Sequence, residues 1–238
     1  MGYEGDRSSF QVGFDCTCCY WYWIRSFVLH RDPSRMIAVI DYKAGNLTSV
    51  VKALRYLGAD DVVVTQSPEE VLRADKIVLP GVGHFQSTQL LADLGLTQAV
   101  REAVAKGTPF LGICVGLQWL YEGSTEAPET AGLGHFRGEC ERFPALYAGS
   151  ALKSPHVGWN SLEHIREDSR LLAGVANGSF VYFTHSWRAP VSADTAAVTL
   201  YGGPFTSVVE RGNVMGVQFH PEKSAETGLQ VLRNFLAL

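Results

Sequence analysis

The stretch "TPFLGICVGLQ", residues 108–118, decides how the chain is read. An apolar run ends in a single cysteine, Cys114, and glycines stand two residues before it and two after it, at Gly112 and Gly116. Such a run reads as a buried strand that turns abruptly into a helix, with glycines where the turn leaves no room for side chains. A helix starting at Val115 would aim its free N–H groups and positive dipole end at the sulfur, which favours thiolate over thiol. The same residue could equally be an inert, small apolar filler at a packed corner. Cys114 alone does not choose between them.

The surrounding sequence alternates strand and helix. "MIAVI" from Met36 reads as an opening strand, and Leu47, Val50, Val51, Leu54 and Leu57 recur at helical spacing behind it. "DVVVT" is a second strand, followed by the short helix "SPEEVLRA" with Ser67 as N-cap and Pro68 at its first position. "KIVLPG" is a third strand, and one helix is predicted from Leu90 to Lys106 before the strand that carries Cys114. The second half is richer in strands: "HVGWNSLEHI", "GSFVYFTHSW", "AAVTLYG", "FTSVVERG" and "NVMGVQFH". A closing helix is predicted to bury Leu229, Leu232, Phe235 and Leu236. Strands linked by helices imply an α/β fold in three layers, a largely parallel sheet with helices on both faces.

Domain organisation follows from the same pass. Residues 36–238 read as one domain without repeat or linker, whereas residues 1–35 are aromatic- and cysteine-rich with no clean period and read as an N-terminal extension outside the fold. The chain has 238 residues, 46% hydrophobic, with a formal charge of -4. Scattered charge of that sign disfavours nucleic acid or an anionic membrane as partner. No uncharged apolar run approaches the roughly 20 residues that a membrane-spanning helix needs. Five cysteines, three of them in "CTCC" at 16–19, do not suit a secreted disulfide framework. No second ligand pair stands near that cluster, so no metal and no cofactor is expected, and the expected compartment is the cytoplasm.

Two further elements bear on Cys114. "GVQFHPE" ends an apolar strand in His220 and Glu222: an imidazole to move protons and a carboxylate to orient it. "LPGVGHF", residues 79–85, places Gly81, Val82 and Gly83 after the third strand, where glycines let backbone N–H groups approach a developing oxyanion. The Val115 amide would be the second donor.

Together these pieces, in this order, resemble the class I (triad) glutamine amidotransferases, and the resemblance covers essentially all of residues 36–238. It implies a flavodoxin-like fold, Cys114 as nucleophile with His220 and Glu222, and an oxyanion site at Gly81, Val82 and Val115. It also implies that Gln118, one helical turn past the cysteine, helps hold the substrate L-glutamine. "DYKAGN" at 41–46, "PHVGWN" at 155–160 and "YFTHSW" at 182–187 are similar to the glutaminase subunits of imidazole glycerol phosphate synthases. That similarity implies a (β/α)8-barrel cyclase subunit as partner, with Asn46, Trp159 and Lys223 at the interface. Val115, Leu117, Thr184 and Trp187 depart from the more usual residues without removing a reactive group. The competing readings are a class I subunit serving another synthase, a stand-alone cysteine amidase or peptidase, and a non-catalytic binding module.

Overall fold

The computed structural model describes Met1, residues 36–43 and residues 47–238. The expected extension, its "CTCC" cluster and Asn46 lie outside the described residues.

The first half alternates as its sequence predicts. Strand β1 (Ile37–Ile40) leads to helix α1 (Leu47–Tyr56), then to β2 (Val62–Thr65), α2 (Pro68–Arg73) and β3 (Lys76–Gly81). Ser67 caps α2, its Oγ accepting from Glu70 N at 3.3 Å. The helix predicted over 90–106 is two: α3 (Gln89–Asp93) and α4 (Leu96–Ala105). Gly95 breaks them apart in the left-handed region, φ 72°, a conformation that glycine adopts without steric cost. The apolar spacing runs on through the break, so periodicity alone does not show it. Strand β4 (Phe110–Cys114) and helix α5 (Val115–Trp119) follow.

The second half mixes strands of two to four residues with four longer ones. They are β5 (Gly123–Ser124), β6 (Glu139–Arg142), β7 (Leu146–Tyr147), β8 (Ser150–Ala151), β9 (His156–Ser161), β10 (Phe180–His185) and β11 (Trp187–Arg188). The last three strands are β12 (Thr195–Leu200), β13 (Pro204–Arg211) and β14 (Val214–Val217), and helix α6 (Ala225–Ala237) closes the chain. The buried stripe of α6 is Gly228, Val231, Leu232 and Phe235. Leu229 and Leu236 are only half-buried, because the stripe centres on Gly228, where a Cβ would strike the Pro221 carbonyl.

The main sheet has seven strands in the order β12-β13-β14-β4-β3-β1-β2. The five from β14 to β2 are parallel, and β13 and β12 add an antiparallel edge. Strands β1, β3, β4 and β14 are buried at every residue, as strands of a sheet covered on both faces must be. Helix α2 packs on α4, while α1 and α6 both meet the 3-10 turn at Pro221–Lys223. This is the largely parallel, three-layer α/β architecture read from the sequence. A separate antiparallel pair, β9 with β10, sits in register Trp159↔Tyr182 and His156↔His185. Among the described residues no helix is long and apolar enough to cross a membrane.

Candidate active site

Ligands of open α/β sheets sit beyond the carboxyl ends of the strands, and β3, β4 and β14 end together. Gly81 and Cys114 are paired at the last register position of β3 and β4. At Cys114 the backbone has φ 56° and ψ -107°, a strained conformation for a residue with a side chain. The glycines make that turn possible. A Cβ on Gly112 would run into the Gly116 carbonyl, and one on Gly116 into the Leu79 carbonyl. Gly81 is required for the same reason, since a Cβ there would strike the Tyr42 hydroxyl and the Val115 side chain.

Cys114 is 4% exposed and free, and its sulfur lines a cavity of about 330 Å³. Val82, Gly83, Val115, Gln118, His220 and Lys223 share that cavity. Gly81 does not line it. Gly83 carries the left-handed φ, 94°, and with Val82 and Val115 brings main chain to the cavity wall. Helix α5 behind the sulfur is only five residues long, so its electrostatic help comes from the first-turn N–H groups rather than a long dipole.

His220 lies three residues beyond the end of β14 and is held through its main chain. Its N–H donates to the Tyr182 carbonyl at 3.0 Å, and its own carbonyl accepts from Ser224 Oγ at 2.6 Å. Ser224 Oγ accepts in turn from Tyr182 N at 2.9 Å, which staples the segment to β10. The ring Nδ1 faces Glu222 Oε1 at 3.0 Å, with the two side chains 4% and 1% exposed. Glu222 Oε2 is buried without a hydrogen-bond partner among the described residues. Burial opposes charge on His220, but hydrogen bonds to Cys114 and Glu222, and the negative charge of both, hold its pKa up to about 10. A thiol, an imidazole and a carboxylate so arranged can form a thiolate–imidazolium pair, attack an amide carbon and hand a proton to the leaving amine.

Gln118 is buried, with Nε2 donating to the Trp187 carbonyl at 3.0 Å and to Gln218 Oε1 at 3.2 Å. Trp159 is 52% exposed on β9, and Lys223 is exposed at the cavity rim. Several residues at the site were not singled out from the sequence. Gln218, fully buried, donates from Nε2 to the Cys114 sulfur at 3.7 Å. The Cys114 sulfur also lies 3.9 Å from the Thr184 carbonyl. Tyr42, from "DYKAGN", is buried beside Gly81 with its hydroxyl unpartnered among the described residues, and burial pushes its pKa up. Glu126 lines the cavity and accepts from Phe85 N at 2.8 Å, bracing the turn that follows Gly83. Of these, a polar Gln218 at the end of an apolar strand was the one visible signal.

The profile of the family described as "Glutamine amidotransferase class-I" matches residues 38–238. Imidazole glycerol phosphate synthase subunit HisH 1 of Methanococcus maripaludis is 43% identical over 210 residues, covering 85% of this chain and 100% of the relative. The HisH subunit of Bacillus cereus is 44% identical over 202 residues, covering 84% and 93%. Among solved structures, a glutamine amidotransferase crystal structure aligns with TM-score 0.65 at 21% identity, over 85% of this chain and 97% of that one. PurLQS from Thermotoga maritima aligns with TM-score 0.63 at 19% identity, over 85% and 98%. These two likenesses speak for the fold. The chain belongs to the class-I glutamine amidotransferase family and, within it, to the HisH subunits of imidazole glycerol phosphate synthases.

Proposed function

We propose that this chain is the glutaminase subunit of an imidazole glycerol phosphate synthase, working in histidine biosynthesis in the cytoplasm. The observation that carries the reading is the buried His220–Glu222 pair, 3.0 Å apart, beside a free cysteine on a strained turn at the cavity. The family membership supplies the substrate class.

The Cys114 thiolate attacks the side-chain carboxamide carbon of L-glutamine. Negative charge develops on the carboxamide oxygen and is met by backbone N–H groups of the Gly81–Val82–Gly83 segment and of Val115. His220 gives its proton to the nitrogen as the C–N bond breaks, releasing ammonia and leaving a glutamyl thioester. The neutral imidazole then takes a proton from water, whose oxygen attacks the thioester carbon. Glutamate departs, and Cys114 and His220 return to their starting state. Glu222 holds the ring orientation and compensates its charge. Gln118 helps hold the substrate glutamine. Residues 1–35 form an extension that takes no part in this chemistry.

Ammonia is reactive only when neutral and is lost to bulk water, so it passes to a (β/α)8-barrel cyclase subunit that makes imidazole glycerol phosphate and an aminoimidazole carboxamide ribotide. The outward face of β9 and β10 suits that docking. Val157, Trp159 and Phe180 are 52%, 52% and 59% exposed on it, a contiguous apolar surface next to the cavity rim at Lys223. We place Trp159, Lys223 and Asn46 in the interface. Docking favours the oxyanion-competent orientation of the peptide at Gly83, so activity without the partner is low. The test is steady-state glutaminase kinetics on the chain alone, with the cyclase subunit, and with its nucleotide ligand added. A rise of about 10² to 10³-fold, in kcat more than KM, is expected from one oxyanion donor brought into place. Full activity in the isolated chain would favour a stand-alone amidase instead.

A further inference from the structure

The Trp187 carbonyl takes hydrogen bonds from two side chains, Gln118 Nε2 at 3.0 Å and His185 Nδ1 at 2.8 Å. A carbonyl only accepts, so Gln118 must present its NH2 group there and His185 must carry its proton on Nδ1. From Gln118 the order of donors runs inward. Its second N–H reaches Gln218 Oε1 at 3.2 Å, which turns the Gln218 NH2 group onto the Cys114 sulfur at 3.7 Å. From His185 the order runs outward. Burial pulls its pKa down to about 3, so the ring is neutral and its bare Nε2 accepts from His156 Nδ1 at 3.0 Å. Burial likewise takes His156 down to about 4, and its Nε2 accepts from Asn160 Nδ2 at 3.3 Å. The remaining Asn160 N–H is taken by the Leu200 carbonyl at 3.1 Å. Every donor in the series has one direction.

We propose that Gln218 is a second hydrogen-bond donor to the Cys114 sulfur, beside His220, and that the Trp187 carbonyl, which can only accept, locks its amide in that sense through Gln118. The inference rests on Cys114 being the nucleophile. The sulfur's other polar neighbour is the Thr184 carbonyl at 3.9 Å, an acceptor that suits a thiol and repels a thiolate. The Gln218 donor offsets it. Were the Gln218 amide flipped, its oxygen would face the sulfur and its NH2 would face the NH2 of Gln118. Gln218 is fully buried, so water cannot take over either role. Gln218 is therefore a catalytic donor, and Gln118 is the positioning residue behind it.

The test is the pH profile of Cys114 alkylation by iodoacetamide in the full chain, followed on the Cys114 peptide by mass spectrometry. Losing a hydrogen bond to a charged group should raise the pH of half-maximal alkylation by about one to two units in Gln218→Met. Gln218→Glu, which sets a carboxylate oxygen against the sulfur, should raise it further. A natively melting Gln218→Met with the wild-type profile overturns the proposal. A reading in the unmutated protein covers variants that do not fold: the Gln218 side-chain amide resonances should move in step with Cys114 deprotonation, and should not move over that range in Cys114→Ser. Amide resonances that ignore the titration overturn it too. If Cys114→Ala still hydrolyses glutamine while the Gln218 variants slow alkylation, the nucleophile assignment fails and this donor assignment stands.

Discussion

Replacing Glu222 by glutamine keeps the shape of the side chain and removes its charge, and the structure sets how much that costs. The carboxylate meets His220 Nδ1 through Oε1 at 3.0 Å, and its Oε2 has no partner among the described residues. A glutamine there has two orientations. With its oxygen on Nδ1 it preserves the working tautomer but leaves a buried NH2 without an acceptor, at a cost of about 1–3 kcal/mol. With its NH2 on Nδ1 one of its N–H groups gains an acceptor, but the ring must carry its proton on Nε2, where it cannot accept one from Cys114. The second orientation is the more stable, so the base is in the wrong tautomer most of the time. A penalty of 1–3 kcal/mol corresponds to about 5- to 150-fold, and losing the charge-assisted bond to the imidazolium adds about 10-fold or more. Glu222→Gln should therefore lower kcat by about 10² to 10³-fold with KM little changed. The assay is steady-state glutaminase turnover with the cyclase partner present, alongside NMR titration of the His220 ring, whose midpoint should drop from about 10. A variant with kcat within about three-fold of wild type and an unmoved midpoint would refute this account of the carboxylate.

Cys114→Ala should abolish glutamine hydrolysis while circular dichroism shows an intact fold, because among the described residues Cys114 alone brings a thiol to the cavity. Cys114→Gly, equally inactive, should melt about 2–4 °C or more above Cys114→Ala, since φ 56° with ψ -107° strains any residue with a Cβ by about 1–3 kcal/mol. His220 has a folded-state pKa raised above its unfolded value, so its contribution to stability is full below about pH 6.5 and is lost as pH rises through about 10. Urea melts should show wild type losing more stability than Glu222→Gln between those limits, and equal losses would contradict the assignment. Gly116→Ala should fail to accumulate as folded protein or melt far below wild type, because its Cβ meets the Leu79 main-chain carbonyl, which cannot move without distorting β3. A chain starting at Met36 should match the full chain in melting temperature and in partner-stimulated turnover, and a marked deficit in either would make residues 1–35 part of the working protein.

The parallel sheet and its turn were legible because burial on both faces forces continuous apolar strands, and because "GICVG" carries glycines where only glycines fit. His220 and Glu222 were legible for a related reason: two polar residues flank a proline at the end of an apolar strand. The helix break at Gly95 was not, since a single glycine is also tolerated inside helices and the apolar spacing continues past it. On α6 Leu232 and Phe235 are legible, whereas Gly228 and Val231 take the buried places expected for Leu229 and Leu236, because a glycine, which scores as neither polar nor apolar, sits at the centre of the face. Gln218 reads as part of a strand, and His156 and His185 stand in the family-like stretches with nothing in either to show that they meet. Their meeting depends on the cross-strand register of β9 and β10, whose 18-residue connection (162–179) is too long for its Asn177-Gly178 turn signal to fix the pairing.

One strand separates the outer surface from the sulfur. In β10, Phe183 and His185 point inward and are buried, while Thr184 between them is exposed and offers the Cys114 sulfur its carbonyl rather than its side chain. A carbonyl is common to all twenty residue types. A substitution at position 184 therefore leaves this contact to the sulfur in place, while it changes a side chain that lines the cavity. The wall of the reaction chamber and the outer skin of the protein are the same peptide, read from its two sides.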